Sequence, residues 1–236
     1  MKHYVFSDIH GNIYLYEMIK KYLDSLNEEY QLIFLGDACD RGSYGFSIMC
    51  DMLENSNVTY LKGNHEDMFV RAARECYSKA QKDNLTVQEY LNKYASVYYF
   101  PGMDTMLYIQ NGGALTLECW IKAGADMEIV EKIDNLDISY SYDKYDMCHA
   151  GCSIKNWGNE DIMLWDRSHF SEPWHSNRVF IHGHTPICYL NNSINSSENT
   201  APIVYNNGQK IDLDVVTHFT NTIYLLCLET EEFIRF

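Results

Sequence analysis

The sequence predicts an α/β fold that forms one domain over residues 1–236, with a helical insertion at about 67–137. Short apolar runs alternate with amphipathic helical stretches in the first part of the chain, which is typical of an α/β sheet. Each of these runs leads into carboxylate, imidazole or amide side chains. Apolar residues make up 46% of the 236 residues, which is enough for a sizeable core.

Charge and composition restrict the partners and the location of the protein. The net charge of −15 argues against nucleic acid, because phosphate backbones bind basic surfaces. No apolar run approaches the roughly 18 residues that span a membrane, and the N-terminal segment reaches a carboxylate too early for a signal peptide. We therefore expect a cytoplasmic protein that binds neither membranes nor nucleic acid. The eight cysteines include no C-x-x-C pair, so we expect reduced core residues.

Three strand–helix units open the chain. Strands are predicted at 4–6, 32–35 and 58–61, and helices at 13–26 and 46–53, the first with Met18 and Tyr22 in the core. The strands lead into three polar loops: Ser7-Asp8-Ile9-His10-Gly11, Gly36-Asp37-Ala38-Cys39-Asp40-Arg41-Gly42 and Gly63-Asn64-His65-Glu66. Asp, Asn and Gly are common turn residues, so one such loop alone is equally typical of a plain turn.

The middle of the chain is predicted to be helical, at 68–82, 87–94 and 115–123, with no clear strand. The aromatic residues at 98–101 are expected in the core. Gly112 and Gly113 indicate either a simple turn or a close backbone approach to a ligand. The segment 191–200, rich in Asn and Ser, is predicted to be a mobile surface loop.

The second half returns to strands. Runs at 145–148 and 179–181 lead into His149-Ala150-Gly151 and His182-Gly183-His184, and Trp165-Asp166-Arg167 lies between them. Further strands at 203–205, 211–216, 223–228 and 233–236 are predicted to be successive and antiparallel.

Together, five polar loops at predicted strand ends indicate a metal centre. The candidate ligands offer oxygen or imidazole and no thiolate: Asp8, His10, Asp37, Asn64, His149 and His184. Such donors suit Mn, Fe, Zn or Ni, and a carboxylate such as Asp37 can bridge two ions. His182 is expected to lie beside the site or in the core, because the set is complete without it. The remaining histidines are expected to be structural or surface residues: His3, His169, His175 and His218.

The order of these motifs resembles that of the calcineurin-like metallophosphoesterases over roughly residues 1–190. The Asp-Arg-Gly and Gly-Asn-His-Glu forms are most similar to the phosphoprotein phosphatase branch, and within it to the bacterial and lambda-type serine/threonine phosphatases. This resemblance implies a four-layer αββα sandwich with a dinuclear site. It places one metal on Asp8, His10 and Asp37. The second metal is placed on Asp37, Asn64, His149 and His184.

The resemblance also implies roles for neighbouring residues. Asp40 would orient His65, which would act in catalysis. Arg41, Arg167 and Asn64 would bind the substrate phosphate. The chain departs from the family pattern at Ser7 and Ala150, where one small residue replaces another. It departs further at 211–214, which only loosely resembles an Asp-Thr-Gly motif.

These residue types suit hydrolysis of a phosphate monoester. Two divalent ions about 3.5–4 Å apart can activate a bridging hydroxide for attack on phosphorus. Two arginines can hold phosphate oxygens, and a histidine can protonate the leaving oxygen. We expect a metal-dependent phosphomonoesterase that acts on phosphoserine or phosphothreonine, with two divalent ions, first of all Mn.

Three alternatives are carried along. The first is a dinucleoside polyphosphate hydrolase. Its symmetric-cleaving members usually lack an aspartate at the position of Asp40, whereas asymmetric-cleaving relatives fit. The second is a phosphodiesterase or nuclease, and the third is a non-catalytic metal-binding scaffold. The sequence leaves open whether the substrate is a phosphorylated protein or a small phosphoester, and it leaves the oligomeric state open.

Overall fold

The protein is described from a computed structural model that covers residues 1–94, 102–175, 177–190 and 201–236. The strands are β1 Lys2–Phe6, β2 Tyr30–Phe34, β3 Val58–Tyr60, β4 Ser139–Tyr142, β5 Tyr145–Cys148, β6 Val179–His182, β7 Ile203–Tyr205, β8 Lys210–Asp212, β9 Tyr224–Cys227 and β10 Glu232–Arg235. The helices are α1 Ile13–Ser25, α2 Gly45–Glu54, α3 Asn64–Lys82, α4 Val87–Tyr94, α5 Met103–Gln110, α6 Ala114–Lys122, α7 Met127–Asp134, α8 Glu160–Trp165, α9 Ile187–Leu190 and α10 Thr217–Thr220. The predictions for 98–101 and 191–200 lie outside the described residues.

Two five-stranded sheets form the centre of the molecule. Their strand orders are β10-β9-β1-β2-β3 and β4-β5-β6-β8-β7. Strands β1, β2 and β3 are parallel neighbours in the first sheet, and β5, β6 and β8 are parallel neighbours in the second. The pairs that involve β10, β9, β4 and β7 are antiparallel. The predicted α/β class is therefore confirmed.

Side-chain alternation along the strands separates the layers of the core. In β1, Val5 points into the apolar layer between the two sheets, whereas Tyr4 and Phe6 pack with helices α1, α2 and α3. In β6, Ile181 joins the layer between the sheets, and Phe180 packs on the outer face near α8. Helices thus cover the outer faces of two stacked sheets, as the αββα prediction requires.

The C-terminal strands do not form one antiparallel series, so that prediction is wrong. β7 and β8 pair with each other, but β8 continues the second sheet as a parallel neighbour of β6. β9 and β10 pair with each other and extend the first sheet beside β1. The segment between β8 and β9, which contains α10, carries the chain from one sheet to the other.

Among the described residues, the stretch between β3 and β4 holds five helices, α3 to α7, of which the sequence predicted three. α5 and α7 are eight-residue helices that each bury only two side chains. α3 contacts α4, α5, α6 and α7 and is the centre of this group. Met18 is 48% exposed, against the prediction, because it lies about 100° around α1 from the buried Ile19. Within the described ranges, no helix combines the length and apolarity needed to cross a membrane.

Candidate active site

The carboxyl ends of five strands meet at one cavity of about 280 Å³. β1, β2 and β3 are parallel neighbours, and so are β5 and β6, so the loops that follow them converge. Eight of the predicted site residues line the cavity: Asp8, His10, Asp37, Arg41, Asn64, His65, Arg167 and His184. The other two, Asp40 and His149, are fully buried behind it.

The loops that carry these side chains adopt unusual backbone conformations. Six non-glycine site residues have positive φ: Asp8 at 53°, His10 at 45°, Asp37 at 64°, Asp40 at 70°, Arg41 at 62° and His184 at 64°. The left-handed conformation costs an L-residue about 1–2 kcal/mol. Neighbouring loops hold it in place through backbone hydrogen bonds, for example from His10 N to Asp37 O at 3.0 Å. Strain of this kind concentrates at functional sites.

Glu66 links two of these loops through hydrogen bonds. Its buried carboxylate accepts hydrogen bonds from the N–H groups of Gly63, Asp37 and Ala38 and from the Tyr60 hydroxyl, each at 2.8 Å. The loop after β2 and the loop after β3 therefore share one anchor at the start of α3. In the sequence, Glu66 stands out only as the last residue of the Gly-Asn-His-Glu motif.

One group of potential metal ligands consists of Asp37, His149 and His184, whose ligand atoms lie within 4.8 Å of one another. Asn64 belongs to the same cluster, because its Oδ1 is 2.9 Å from both His149 Nε2 and His184 Nδ1. His149 Nδ1 donates to the Leu35 carbonyl at 2.8 Å, which leaves Nε2 free to act as a ligand. The structure thus brings together all four residues predicted for the second metal.

A second group contains His10, Asp37 and His65. His10 Nδ1 donates to the Cys39 carbonyl at 2.9 Å, so its Nε2 faces the cavity. Asp8, predicted as a ligand here, lines the same cavity but is not a member of this group. Its carboxylate accepts hydrogen bonds from the Ser7 hydroxyl and from His184 N.

Burial controls the protonation of these groups. It raises the pKa of Asp37 and of Asp8 well above the ordinary value, because a lone buried carboxylate is unfavourable. It lowers the pKa of His149 to about 3 and that of His10 and His184 well below the ordinary value. Divalent metals bind neutral imidazoles and carboxylates that have no other positive partner. The residues therefore fit the two metals that the sequence implied.

His65 belongs to a hydrogen-bonded chain. Its Nδ1 lies 2.6 Å from Asp40 Oδ2, and the Tyr108 hydroxyl donates to Asp40 Oδ1 at 2.5 Å. The backbone N–H of Asp40 donates to the Thr116 hydroxyl at 3.1 Å. Because Asp40 accepts the Nδ1 proton, Nε2 of His65 is directed into the cavity.

The two predicted phosphate-binding arginines flank the cavity. Arg41 donates to His10 Nε2 at 2.7 Å and lies 3.3 Å from His65 Nε2. Its backbone N–H donates to the Gly112 carbonyl at 3.1 Å, so the glycine pair lies against the backbone of Arg41. Arg167 donates from Nε to His184 Nε2 at 3.1 Å.

A family model described as calcineurin-like phosphoesterase matches residues 1–219 of this chain. The chain belongs to the calcineurin-like phosphoesterase family. Members of this family are metal-dependent hydrolases of phosphoesters, and the two ligand groups that share Asp37 fit a dinuclear site. No curated protein sequence matches the chain at a significant level.

Solved structures of similar fold include several phosphatases. A protein assigned as a diadenosine tetraphosphatase is 11% identical with a TM-score of 0.64, and the match covers 100% of this phosphoesterase and 92% of that chain. A cold-active protein-tyrosine phosphatase of a psychrophilic Shewanella species is 16% identical with a TM-score of 0.56, and the match covers 99% and 77%. A protein serine/threonine phosphatase from Saccharomyces cerevisiae is 12% identical with a TM-score of 0.51, and the match covers 97% and 72%. At these identities the likeness establishes the fold alone.

Two residues that were not predicted as site residues lie beside or at the cavity of the phosphoesterase, His218 and Asp214. His218 was expected to be structural or surface, but its Nδ1 is 3.1 Å from Arg41 and its ring packs against His10. Asp214 lines the cavity, and only the weak likeness of 211–214 to a family motif pointed to it. His182 is buried, with Nε2 2.7 Å from the Tyr205 hydroxyl and outside both ligand groups.

Proposed function

We propose that this phosphoesterase hydrolyses phosphate monoesters, with phosphoserine and phosphothreonine of phosphorylated proteins as its substrate class. The observation that carries the proposal is the Asp40–His65 pair, which directs one imidazole nitrogen at a cavity flanked by two arginines. A terminal phosphate offers several oxygens to such arginines and needs a proton donor at its leaving group.

The residues at the cavity would hold two divalent ions, for which Mn is proposed. One would take Asp8, His10 and Asp37, and the other would take Asp37, Asn64, His149 and His184. Such ions supply positive charge and an activated water for attack on phosphorus. Three imidazoles and one amide add no charge to the two carboxylates, so the loaded site is net positive and attracts a phosphate dianion.

The protein's own residues bind and orient the phosphate. Arg41 lies beside His10 and His65 and Arg167 lies beside His184 at the same cavity. A planar guanidinium can donate two parallel hydrogen bonds to phosphate oxygens. The amide of Asn64 lies in the same cavity and contributes a further polar contact.

His65 is proposed to protonate the leaving oxygen from Nε2. Asp40 accepts the Nδ1 proton and so fixes the ring orientation, and Tyr108 holds Asp40 in turn. Removal of a general acid lowers turnover by about 10²–10⁴-fold. Because Asp40 is buried behind the cavity and contacts His65 rather than the cavity itself, its role is one of positioning.

The proposal is tested with metal-loaded protein and four substrates: phosphoserine peptides, phosphothreonine peptides, bis(p-nitrophenyl) phosphate and diadenosine tetraphosphate. We expect phosphate release from the peptides, and we expect His65→Asn to lower it by about 10²–10⁴-fold. The matched control is His175→Asn, at an exposed histidine outside the cavity, which should retain wild-type turnover.

The same experiment separates the alternatives. Release of nucleotides from diadenosine tetraphosphate, seen by chromatography, without action on the peptides would replace the proposal with a dinucleoside polyphosphate hydrolase. Exclusive action on the diester would favour a phosphodiesterase or nuclease. Asp37→Asn with unchanged turnover would indicate that the metal centre is not catalytic.

A further inference from the structure

A second cavity of about 260 Å³ adjoins the active site. It is formed by the first turn of α1, by the segment that leads into α2, and by α10. We call it the tyrosine groove, and its lining includes Asn12, Tyr14, Ser43, Tyr44 and Asn221. His10, Arg41 and His218 also line it, and the first two line the active-site cavity as well. A substrate whose phosphate contacts Arg41 therefore extends into this groove or passes close beside it.

The groove has an aromatic rim. Tyr14 is 78% exposed and Tyr44 is 49% exposed, and both line the groove. Phe219 is 83% exposed and follows His218, and its ring is tilted against that of His218 with the ring centroids 4.2 Å apart. Single exposed aromatic residues are common on protein surfaces, whereas two exposed tyrosines that line one concave site are typical of a binding surface. Exposed tyrosine rings bind other flat rings through stacking and edge contacts.

Size and polarity indicate what occupies the groove. Pockets that enclose a whole small ligand measure about 300–1,000 Å³, so this open and smaller groove suits one side chain of a longer molecule. Its lining also includes two side-chain amides, those of Asn12 and Asn221. Asn12 donates from Nδ2 to Asn221 Oδ1 at 2.8 Å, which links the start of α1 to the end of α10.

The backbone around the groove is set for this arrangement. Val216 has φ 59° and Asn221 has φ 49°, so α10 begins after one left-handed residue and ends before another. The carboxylate of Asp214 accepts from Val216 N at 2.9 Å and stabilises the first of them. α10 therefore presents His218 to Arg41 on one side and Phe219 to solvent on the other.

We propose that the tyrosine groove binds an aromatic side chain that flanks the phosphorylated residue of a phosphopeptide. The inference rests on the proposed function, and it adds a sequence preference to it. Arg41 contacts the phosphate, and Tyr14 and Tyr44 contact the neighbouring aromatic ring. The groove thus selects among phosphoserine and phosphothreonine sites that the metal centre alone does not distinguish.

The test uses two pairs of phosphoserine peptides that differ only in one flanking residue, phenylalanine or alanine, placed before or after the phosphoserine. For the wild type loaded with Mn, we expect kcat/KM to favour the phenylalanine peptide of one pair by roughly three- to tenfold, mostly through KM. In the double variant Tyr14→Ala and Tyr44→Ala, this ratio should fall to about one. The matched control is Tyr77→Ala, which removes a partly exposed tyrosine of α3 far from the groove and should keep the ratio.

Three outcomes would overturn the inference. The first is a wild type that does not distinguish the peptides of either pair. The second is a double variant that keeps the preference. The third is a double variant that keeps the peptide preference but loses turnover of p-nitrophenyl phosphate or AMP. The tyrosine groove would then bind the ring of the leaving group or a nucleobase instead of a flanking aromatic side chain. Failure of the proposed function looks different, because the wild type would then release no phosphate from any peptide. Binding of non-hydrolysable phosphonate versions of the peptides, followed by fluorescence anisotropy, tests the groove in that case as well.

Discussion

Replacing Glu66 by glutamine tests whether one carboxylate holds the active-site loops. The carboxylate accepts four hydrogen bonds, two on each oxygen. Glutamine keeps one acceptor oxygen and puts a donor in place of the other. If the oxygen stays with Asp37 and Gly63, the amide nitrogen faces Ala38 N–H, which loses its acceptor. The Tyr60 hydroxyl can turn and accept instead.

The cost of this change follows from the four contacts. A buried donor left unpaired costs about 1–3 kcal/mol. Hydrogen bonds to a charged group contribute about 1.5–3 kcal/mol and neutral ones about 0.5–1.5 kcal/mol, so each remaining bond loses roughly 1 kcal/mol. Relief of the buried charge offsets part of this sum. We expect a net loss of about 2–4 kcal/mol in the free energy of unfolding, which corresponds to a fall in Tm of roughly 4–16 °C for a chain of this size.

Thermal unfolding followed by circular dichroism measures this loss. The protein is kept in a chelator, so that metal binding does not add to the stability of the wild type. The matched control is Glu118→Gln, which removes an exposed carboxylate 2.5 Å from Lys122 on α6. Such a surface pair contributes about 0–1 kcal/mol. A Glu66→Gln variant that melts within about 2 °C of the wild type would refute the reasoning, because it would show that the loops hold their shape without the carboxylate.

Three further predictions concern the surroundings of the site. Tyr108→Phe removes a hydrogen-bond donor from Asp40. We expect kcat with p-nitrophenyl phosphate to fall by about three- to tenfold. An unchanged kcat would show that the Tyr108 hydroxyl does not position His65. Gly183→Ala puts a Cβ 2.1 Å from Asp8 Oδ2 and should displace that carboxylate. Circular dichroism checks that the variant folds, and we then expect it to lose the rise in Tm that Mn gives the wild type. A full rise in Tm would contradict a ligand role of Asp8. Burial lowers the pKa of His169 to about 3, so below pH 6.5 the unfolded state binds a proton that the folded state does not. Stability is therefore lost as pH falls from 6.5 toward 3. In urea unfolding, the free energy of unfolding of His169→Phe should depend on pH less steeply than that of the wild type, by up to about 1.4 kcal/mol per pH unit. Equal pH dependence of the two proteins would contradict a buried, neutral His169.

Local patterns were enough to predict the strand ends and most of the side chains that meet there. Asp8, Asp37 and His149 each follow a short apolar run, and parallel neighbours must bring such positions to one edge. The assignment of Asp8, rather than His65, to the group around His10 came from resemblance, and it stays a prediction.

Features that depend on contacts between distant segments could not be predicted. His218 reaches Arg41 because α10 lies in the segment that connects the two sheets. The position of this segment depends on which strands β8 and β9 pair with. Two of the four contacts of Glu66 come from Asp37 and Ala38 in the loop after β2, and no residue next to Glu66 in the sequence indicates them. Met18 follows the helical spacing well, yet the edge of an apolar stripe is decided by what packs against it.

Residues of the active-site loops that have a left-handed backbone keep this conformation only within the folded protein, so a short motif taken out of the fold should not bind a metal in the same way. A peptide that contained Asp8 to Gly11 would relax to right-handed or extended conformations, because Asp8 and His10 would lose the partners that hold their positive φ. Its carboxylate and imidazole would then point in unrelated directions and would bind a metal no better than free aspartate and histidine. Grafting this loop onto another scaffold should therefore fail, unless the loop that carries Asp37 is moved with it.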